Sequence, residues 1–320
     1  MSFLGTRERL LYLRTLPLVG SLPAEELATL GSYMEERAFV KGELLLADDE
    51  PMRHVDLIVE GEVQVSRLGR PIRIFGPRTP VGVLGLLAET TEGVRVQATR
   101  DGISLRLEHE ALLDLCEDSY AVLLHLLRMM TATVIEERRQ AAGTGGLNNP
   151  VAPSEPRELP PPLDLVQRMV MLQSTMTFAQ SNVSGLAQLA RRVQERRFEA
   201  GQRLWHEGDP SGSMYTVVQG LIRCETESGQ QFGFEDGGAA GVLDSMAGIP
   251  RWFGATAEVD TVVLELTAED FFDVLEDSVD LAMELLRVLS IQVVELLDDT
   301  LDVPVPRESM PPPVAPSPSP

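Results

Sequence analysis

"RRFEAGQRLWHEGDPSGSMYTVVQGLIRC", from Arg196 to Cys224, has a counterpart earlier in the chain: "RAFVKGELLLADDEPMRHVDLIVEGEVQV", from Arg37 to Val65. Laid side by side without a gap, the two stretches match Phe39 with Phe198, Gly42 with Gly201, Pro51 with Pro210 and Gly61 with Gly220. The same register runs outward to pair Gly82 with Gly241, Asp101 with Asp260, Leu107 with Leu266 and Arg128 with Arg287. It also pairs Glu117-Asp118-Ser119 with Glu276-Asp277-Ser278, and Leu27 and Leu30 with Leu186 and Leu189. One register held through so many glycines and acids marks a duplication. The chain is two copies of one domain.

Bulk properties agree with that division. A chain of 320 residues accommodates two ordinary domains, and 43% apolar content is globular. The net charge of −22 argues against a nucleic-acid surface, which needs clustered Lys and Arg to neutralise phosphates. The same charge repels a small anionic ligand unless a local cation overrides it. Two distant cysteines, Cys116 and Cys224, imply neither a disulfide framework nor a zinc site. The first residues, "MSFLGTRERLLYLRTLPLVG", carry charges within their apolar stretch and do not read as a signal peptide. The most apolar helical stretch, "AVLLHLLRMMTATVI", is short for a membrane span and contains His125 and Arg128. The expectation is a soluble, cytoplasmic protein without membrane insertion.

Within each copy the pattern changes in a fixed order. An amphipathic helix comes first, as in "AEELATLGSYM" after Ser21 and Pro23. Short alternating runs such as "HVDLIVEGEVQVSRL" and "SMYTVVQGLIRCET" follow, divided by Gly, Pro and acidic turns. Each copy closes on helices: "EHEALLDLCED" and "AVLLHLLRMMTATVIEERRQ" in the first, "AEDFFDVLED" and "DLAMELLRVLSIQVVELLDD" in the second. This predicts an α+β protein of two tandem β-roll (double-stranded β-helix or jelly-roll) domains, each flanked by helices. The boundaries expected are 1–140 for domain 1, 141–163 for a Gly/Pro-rich linker, 164–300 for domain 2 and 301–320 for a disordered Pro/Ser tail.

This module resembles the cyclic nucleotide-binding domain of catabolite-activator-type regulators, cyclic-nucleotide-gated channels and protein kinase A regulatory subunits. The two stretches quoted first carry the resemblance, through their strand pairs and glycine turns. It implies a phosphate-binding cassette of the form F-G-E-[LI]-A-L followed by P-R-x-A-[TS]. There the glycine opens a short helix whose N–H groups face the cyclic phosphate, the glutamate accepts from the ribose hydroxyl, and the arginine meets the phosphate charge.

Carried onto copy 2, the cassette begins at Gly241, places Val242 in the glutamate slot, continues through Leu243 and Asp244, and reaches Arg251 after Pro250. Trp252 and Phe253 replace the small residues that follow and are bulky enough to fill the pocket. In copy 1, Gly82 stands at the glycine, Val83 in the glutamate slot and Glu92 in the arginine slot; Arg95 lies close enough to substitute. A ribose contact and a charge-assisted phosphate contact are each worth about 1.5–3 kcal/mol. Copy 1, lacking both, forfeits about a thousandfold of affinity. The valine common to both slots reflects either a change before duplication or a shared packing need.

Other motifs have plainer readings beside the functional ones. "RRVQERRF" (191–198) is either an anion-binding run or a solvated helix end, and "ERRQAAG" (137–143) either a kinase pseudosubstrate or an arginine-rich helix C-terminus. The four histidines, His54, His109, His125 and His206, have no metal-ligand spacing, so no metal is expected. No nucleophile-base set or P-loop can be assembled, and an enzyme is not expected. The residues after copy 2, "VPVPRESMPPPVAPSPSP", do not read as a winged helix, so a DNA reader is not expected.

Two functions remain open. One is a non-catalytic regulatory or scaffold protein with degenerate pockets, acting through a protein partner. The other is a sensor of cAMP, cGMP or another anion, binding through Gly241 and Arg251 of domain 2; outside that reading no cofactor is expected. Arg251→Ala separates them on sequence grounds. The closing helices carry apolar stripes that serve either homodimerisation or packing on their own β-rolls.

Overall fold

The computed structural model describes residues 5–300 apart from 17–18, 21, 49, 90–92, 144–159, 176–177 and 180. The expected linker falls mainly on residues 144–159 and the expected tail on 301–320, both outside the described residues. Copy 1 runs α1 (Thr6–Arg14), α2 (Ala24–Tyr33), β1 (Glu35–Phe39), β2 (Leu44–Leu46), β3 (His54–Arg67), β4 (Arg70–Phe75) and β5 (Pro80–Val81). It continues through α3 (Val83–Leu87), β6 (Val94–Glu108), α4 (His109–Asp118) and α5 (Tyr120–Gly143). Copy 2 repeats the order as α6 (Leu165–Gln173), α7 (Val183–Arg192), β7 (Gln194–Phe198), β8 (Arg203–Trp205), β9 (Ser213–Gln219), β10 (Leu221–Glu225) and β11 (Gln231–Glu235). It ends with β12 (Ala239–Ala240), α8 (Val242–Ala247), β13 (Gly254–Ala257), β14 (Thr261–Thr267), α9 (Ala268–Asp277) and α10 (Val279–Thr300).

All strand pairs are antiparallel. Copy 1 has a six-stranded sheet with the path β1-β6-β3-β4, to which β2 and β5 attach. Copy 2 divides into two four-stranded sheets, β11-β10-β13-β8 and β12-β9-β14-β7. The difference is one of continuity. β3 and β6 stay paired through register shifts around Glu60 and Glu62, whereas their counterparts break into β9/β10 and β13/β14. Gly61 and Gly220 sit at this corner with φ of 88° and 121°. A Cβ at Gly61 would lie 2.6 Å from the Asp101 carbonyl oxygen, and one at Gly220 would lie 2.8 Å from Thr261 Cα. Only glycine permits both the backbone angle and the approach. The architecture is therefore α+β, two sheet-built units flanked by helices. The pairing among the described residues defines no closed barrel.

Each copy opens on two helices rather than one. In copy 1 the first of them is tied down by Arg9, which donates to the Gly31 and Met34 carbonyls at 2.9 and 2.7 Å. Tyr12 Oη donates to the Ile58 carbonyl at 2.7 Å. In copy 2, Asp164 and Gln167 form a capping box at α6, and Asn182 caps α7.

The closing helices decide how the copies meet. α5 and α10 pack on each other, α5 reaches α8 of copy 2, and α10 reaches α3 of copy 1. Leu123, Leu127 and Val134 of α5 share one apolar core with Leu285, Leu286 and Val293 of α10. Each such buried side chain contributes about 1.5–3 kcal/mol of transfer free energy. Ile135 goes further and joins the interior of copy 2 with Trp205, Val217 and Phe253. Polar contacts also cross: Tyr120 Oη donates to the Phe272 carbonyl at 2.9 Å, and Arg287 pairs with Glu89 at 3.5 Å. The stripes thus serve the partner copy within the same chain as well as their own.

Three of the four arginines in the basic run at 191–198 form ion pairs. Arg192 meets Asp270 and Asp273, Arg196 meets Glu265, and Arg197 meets Glu195. Both cysteines are buried and free. No helix among the described residues is long and apolar enough to cross a membrane, and no group of three or more His, Cys, Asp or Glu among them could hold a metal.

Candidate functional site

In copy 2 the chain leaves β12 at Ala240 and turns at Gly241, whose φ of 73° suits glycine. α8 follows, ends at Gly248, and the loop returns through Pro250 and Arg251 to β13. The turn and the arginine are where the sequence places them. Their engagement differs from what a receptor requires.

Arg251 is only 4% exposed. Its Nη1 donates to the Gly241 carbonyl at 3.0 Å and to Asp244 Oδ2 at 3.2 Å, and its Nη2 donates to the Ser213 carbonyl. The guanidinium also stands over the Trp205 ring, 4.3 Å from its centroid, in cation–π geometry. Asp244 is fully buried, and burial pushes its carboxyl above the usual carboxylate range against the opposing pull of Arg251. The arginine that the resemblance assigns to a phosphate is thus neutralised by a carboxylate of its own domain. A Cβ at Gly241 would collide with Arg251 Nη1, so the glycine leaves space for this inward arginine.

Val242 is buried in the apolar core shared by the closing helices, and Val83 packs against that core while half-buried. Both slot valines thus contribute to packing. Leu243 packs against this core and the copy 2 interior. Trp252 and Phe253 are buried among Trp205 and Phe232. Trp252 stacks on Phe232 with centroids 5.5 Å apart, and its edge meets Phe253 at 4.9 Å. They occupy the interior, yet a cavity of about 310 Å³ remains beside them. It is lined by Gly241, Val242, Trp252 and, from α5 of the other copy, Arg138. Burial lowers the pKa of Arg138, and its Nη2 donates to Gln292 Oε1 of α10 at 3.3 Å.

Copy 1 has the same turn and a different interior. Gly82 has φ of 102° and opens α3. Glu92 lies outside the described residues. Arg95 does not substitute for the missing arginine: it is half-exposed and bonded to Asp48 through Nε at 3.2 Å. Sequence reasoning missed Asp56, 3% exposed on β3. Arg106 binds it through Nε at 3.1 Å and Nη2 at 2.7 Å, Ser104 Oγ donates at 2.8 Å, and His54 Nε2 lies at 3.3 Å. Burial pushes this carboxyl up, but His54, Arg106 and Ser104 outweigh it and hold it well below the usual range. An acid interrupting the apolar run "HVDLIV" was the available signal. The space beside His54 and Asp56 is about 10 Å³, roughly one water.

Arg138 and Ile135 had no such signal, because they belong to one copy and act in the other.

Comparison with known proteins follows the same division. Residues 36–119 and 195–278 each match the family model described as the cyclic nucleotide-binding domain. An uncharacterized NTE family protein of Mycobacterium tuberculosis is 35% identical over 106 residues, which cover 33% of this chain and 18% of that protein. The regulatory domain of Toxoplasma gondii PKA, solved with cAMP, is 16% identical with a TM-score of 0.34, over 91% of this chain and 97% of that one. A cyclic nucleotide-binding-like protein from Brucella abortus is 26% identical with a TM-score of 0.31, over 34% of this chain and 97% of that one. The two family matches together take in more than half of the sequence, once in each copy, and the chain belongs to the cyclic nucleotide-binding domain family.

Proposed function

We propose that the chain is a non-catalytic regulatory or scaffold module that acts through contacts with a protein partner, and that neither copy responds to a cyclic nucleotide through its cassette arginine position. The observation that supports this is the buried pair of Arg251 and Asp244, at 3.2 Å. A cyclic phosphate reaching Arg251 must displace a carboxylate already there. Breaking a buried pair costs about 3–5 kcal/mol, equivalent to about a hundredfold to several thousandfold in affinity. The missing ribose acceptor at Val242 adds to that loss. The mutual packing of α5 and α10 uses the faces that the sequence offered for homodimerisation, which supports a monomer with its partner surface elsewhere.

The test is calorimetric titration of cAMP and then cGMP into the purified chain, with melting temperature followed in parallel. The expected result is no heat and no shift at millimolar ligand. Micromolar binding of either nucleotide would overturn the reading. Arg251→Ala is not a clean discriminator, since it strands Asp244 in the interior and disturbs folding whether or not a ligand binds.

A further inference from the structure

We infer that the cavity between the copies is a binding site for a small planar aromatic carboxylate, held by Arg138 of α5. This goes beyond the reading above: cassette residues wall the cavity, Val242 of the glutamate slot among them, but the charge it offers a ligand is that of Arg138 and not of Arg251.

The cavity, at about 310 Å³, is of the size that takes a small organic molecule. Its walls are aromatic. Phe232, Phe234, Trp252 and Phe253 line it, with Phe232 and Trp252 stacked at an interplanar angle of 17°. Such faces favour a flat ring.

Arg138 supplies the charge. Among the described residues it donates to the neutral Gln292 Oε1, and burial is what lowers its pKa, with no carboxylate pulling the other way. A desolvated cation without a counter-charge is costly, so an anion that seats against it gains what water no longer provides. Arg139 adds a second positive group, 6.0 Å from the centroid of the Trp252 ring.

Asp244 stands in the same wall, so a second negative group is disfavoured at its end of the cavity. The ligand class that fits is an aromatic ring with a single carboxylate at the Arg138 end.

The test uses the full chain and two probes, indole-3-carboxylate and 4-aminobenzoate, each against its uncharged carboxamide. Binding is read by calorimetry and by the fluorescence of the tryptophans, Trp205 and Trp252. The expected result is a preference of about tenfold or more for the carboxylate. Arg138→Gln should erase that preference and Arg138→Lys should keep part of it, with melting curves confirming that both variants fold. Three results would overturn the inference: no binding of either carboxylate at millimolar concentration, equal binding of acid and amide, or a preference that persists in Arg138→Gln. These probes leave the cAMP and cGMP titrations untouched, so either proposal can fail alone.

Discussion

Copy 1 and copy 2 keep the same turn and satisfy its surroundings by different chemistry. Aligned by the repeat, Asp56 and Arg106 of copy 1 correspond to Tyr215 and Glu265 of copy 2. The first pair is a charge-assisted contact between β3 and β6, and the second is a Tyr215 Oη–Glu265 hydrogen bond of 3.0 Å between β9 and β14. Beside that ion pair copy 1 leaves about 10 Å³. Copy 2 moves its carboxylate onto the cassette helix as Asp244, where copy 1 has Gly85, and fills much of the roll with aromatic rings. An arginine is thus matched by a strand carboxylate in copy 1 and by a cassette carboxylate in copy 2, and the aromatic-lined cavity stands beside the second.

The harshest way to break the comparison is Arg251→Ala, which should cost about 3–5 kcal/mol in urea denaturation because Asp244 is left buried and unpaired. The double variant Arg251→Met/Asp244→Leu should recover most of that loss, since it removes both charges together. A double variant as unstable as the single one would show that the pair is not the source.

Next comes the depth to which each closing helix enters the other copy. Ile135→Ala should cost about 2–5 kcal/mol, because the side chain is buried in the copy 2 interior. Its counterpart Val294 is only half-buried, so Val294→Ala should cost clearly less by the same measurement. Equal losses would mean that the two helices are used alike.

The two carboxylates should also respond to acid with opposite sign. Asp56 is held below its unfolded value, so its contribution is complete above about pH 4 and is lost as pH falls further. Asp244 is raised, so its contribution is greatest in acid and is lost as pH climbs out of the usual carboxylate range through its folded pKa. Denaturation of Asp56→Asn and Asp244→Asn against pH should therefore converge on the parent protein at low pH in the first case, with the gap varying oppositely in the second. The smallest effect is expected at Arg95→Ala, whose exposed pairing with Asp48 should leave the melting temperature unchanged within error.

Much of the fold was legible because it is local and repeated. The glycines at 61, 82, 220 and 241 mark backbone angles that few other residues accept, and the closing helices show their apolar spacing directly. The second opening helix was not legible. α1 has a weak apolar face, and what holds it is Arg9 and Tyr12 reaching distant carbonyls. The candidate site was half legible. Spacing located Gly241 and Arg251, and Asp244 stood out as an acid near them. That Arg251 points inward depends on burial, and that Arg138 lines the same cavity depends on one copy covering the other. Neither leaves a pattern along the chain.

Because α5 covers copy 2 and α10 covers copy 1, each half of the molecule is completed by the other. The surfaces that close the monomer are therefore equally complementary between two chains, and an exchange of halves buries the same side chains with no new contact to evolve. In a single chain, covalent linkage sets a high effective concentration of one half for the other. The consequence is checkable by size-exclusion chromatography against protein concentration: an exchange of halves would appear as a dimer that grows with concentration.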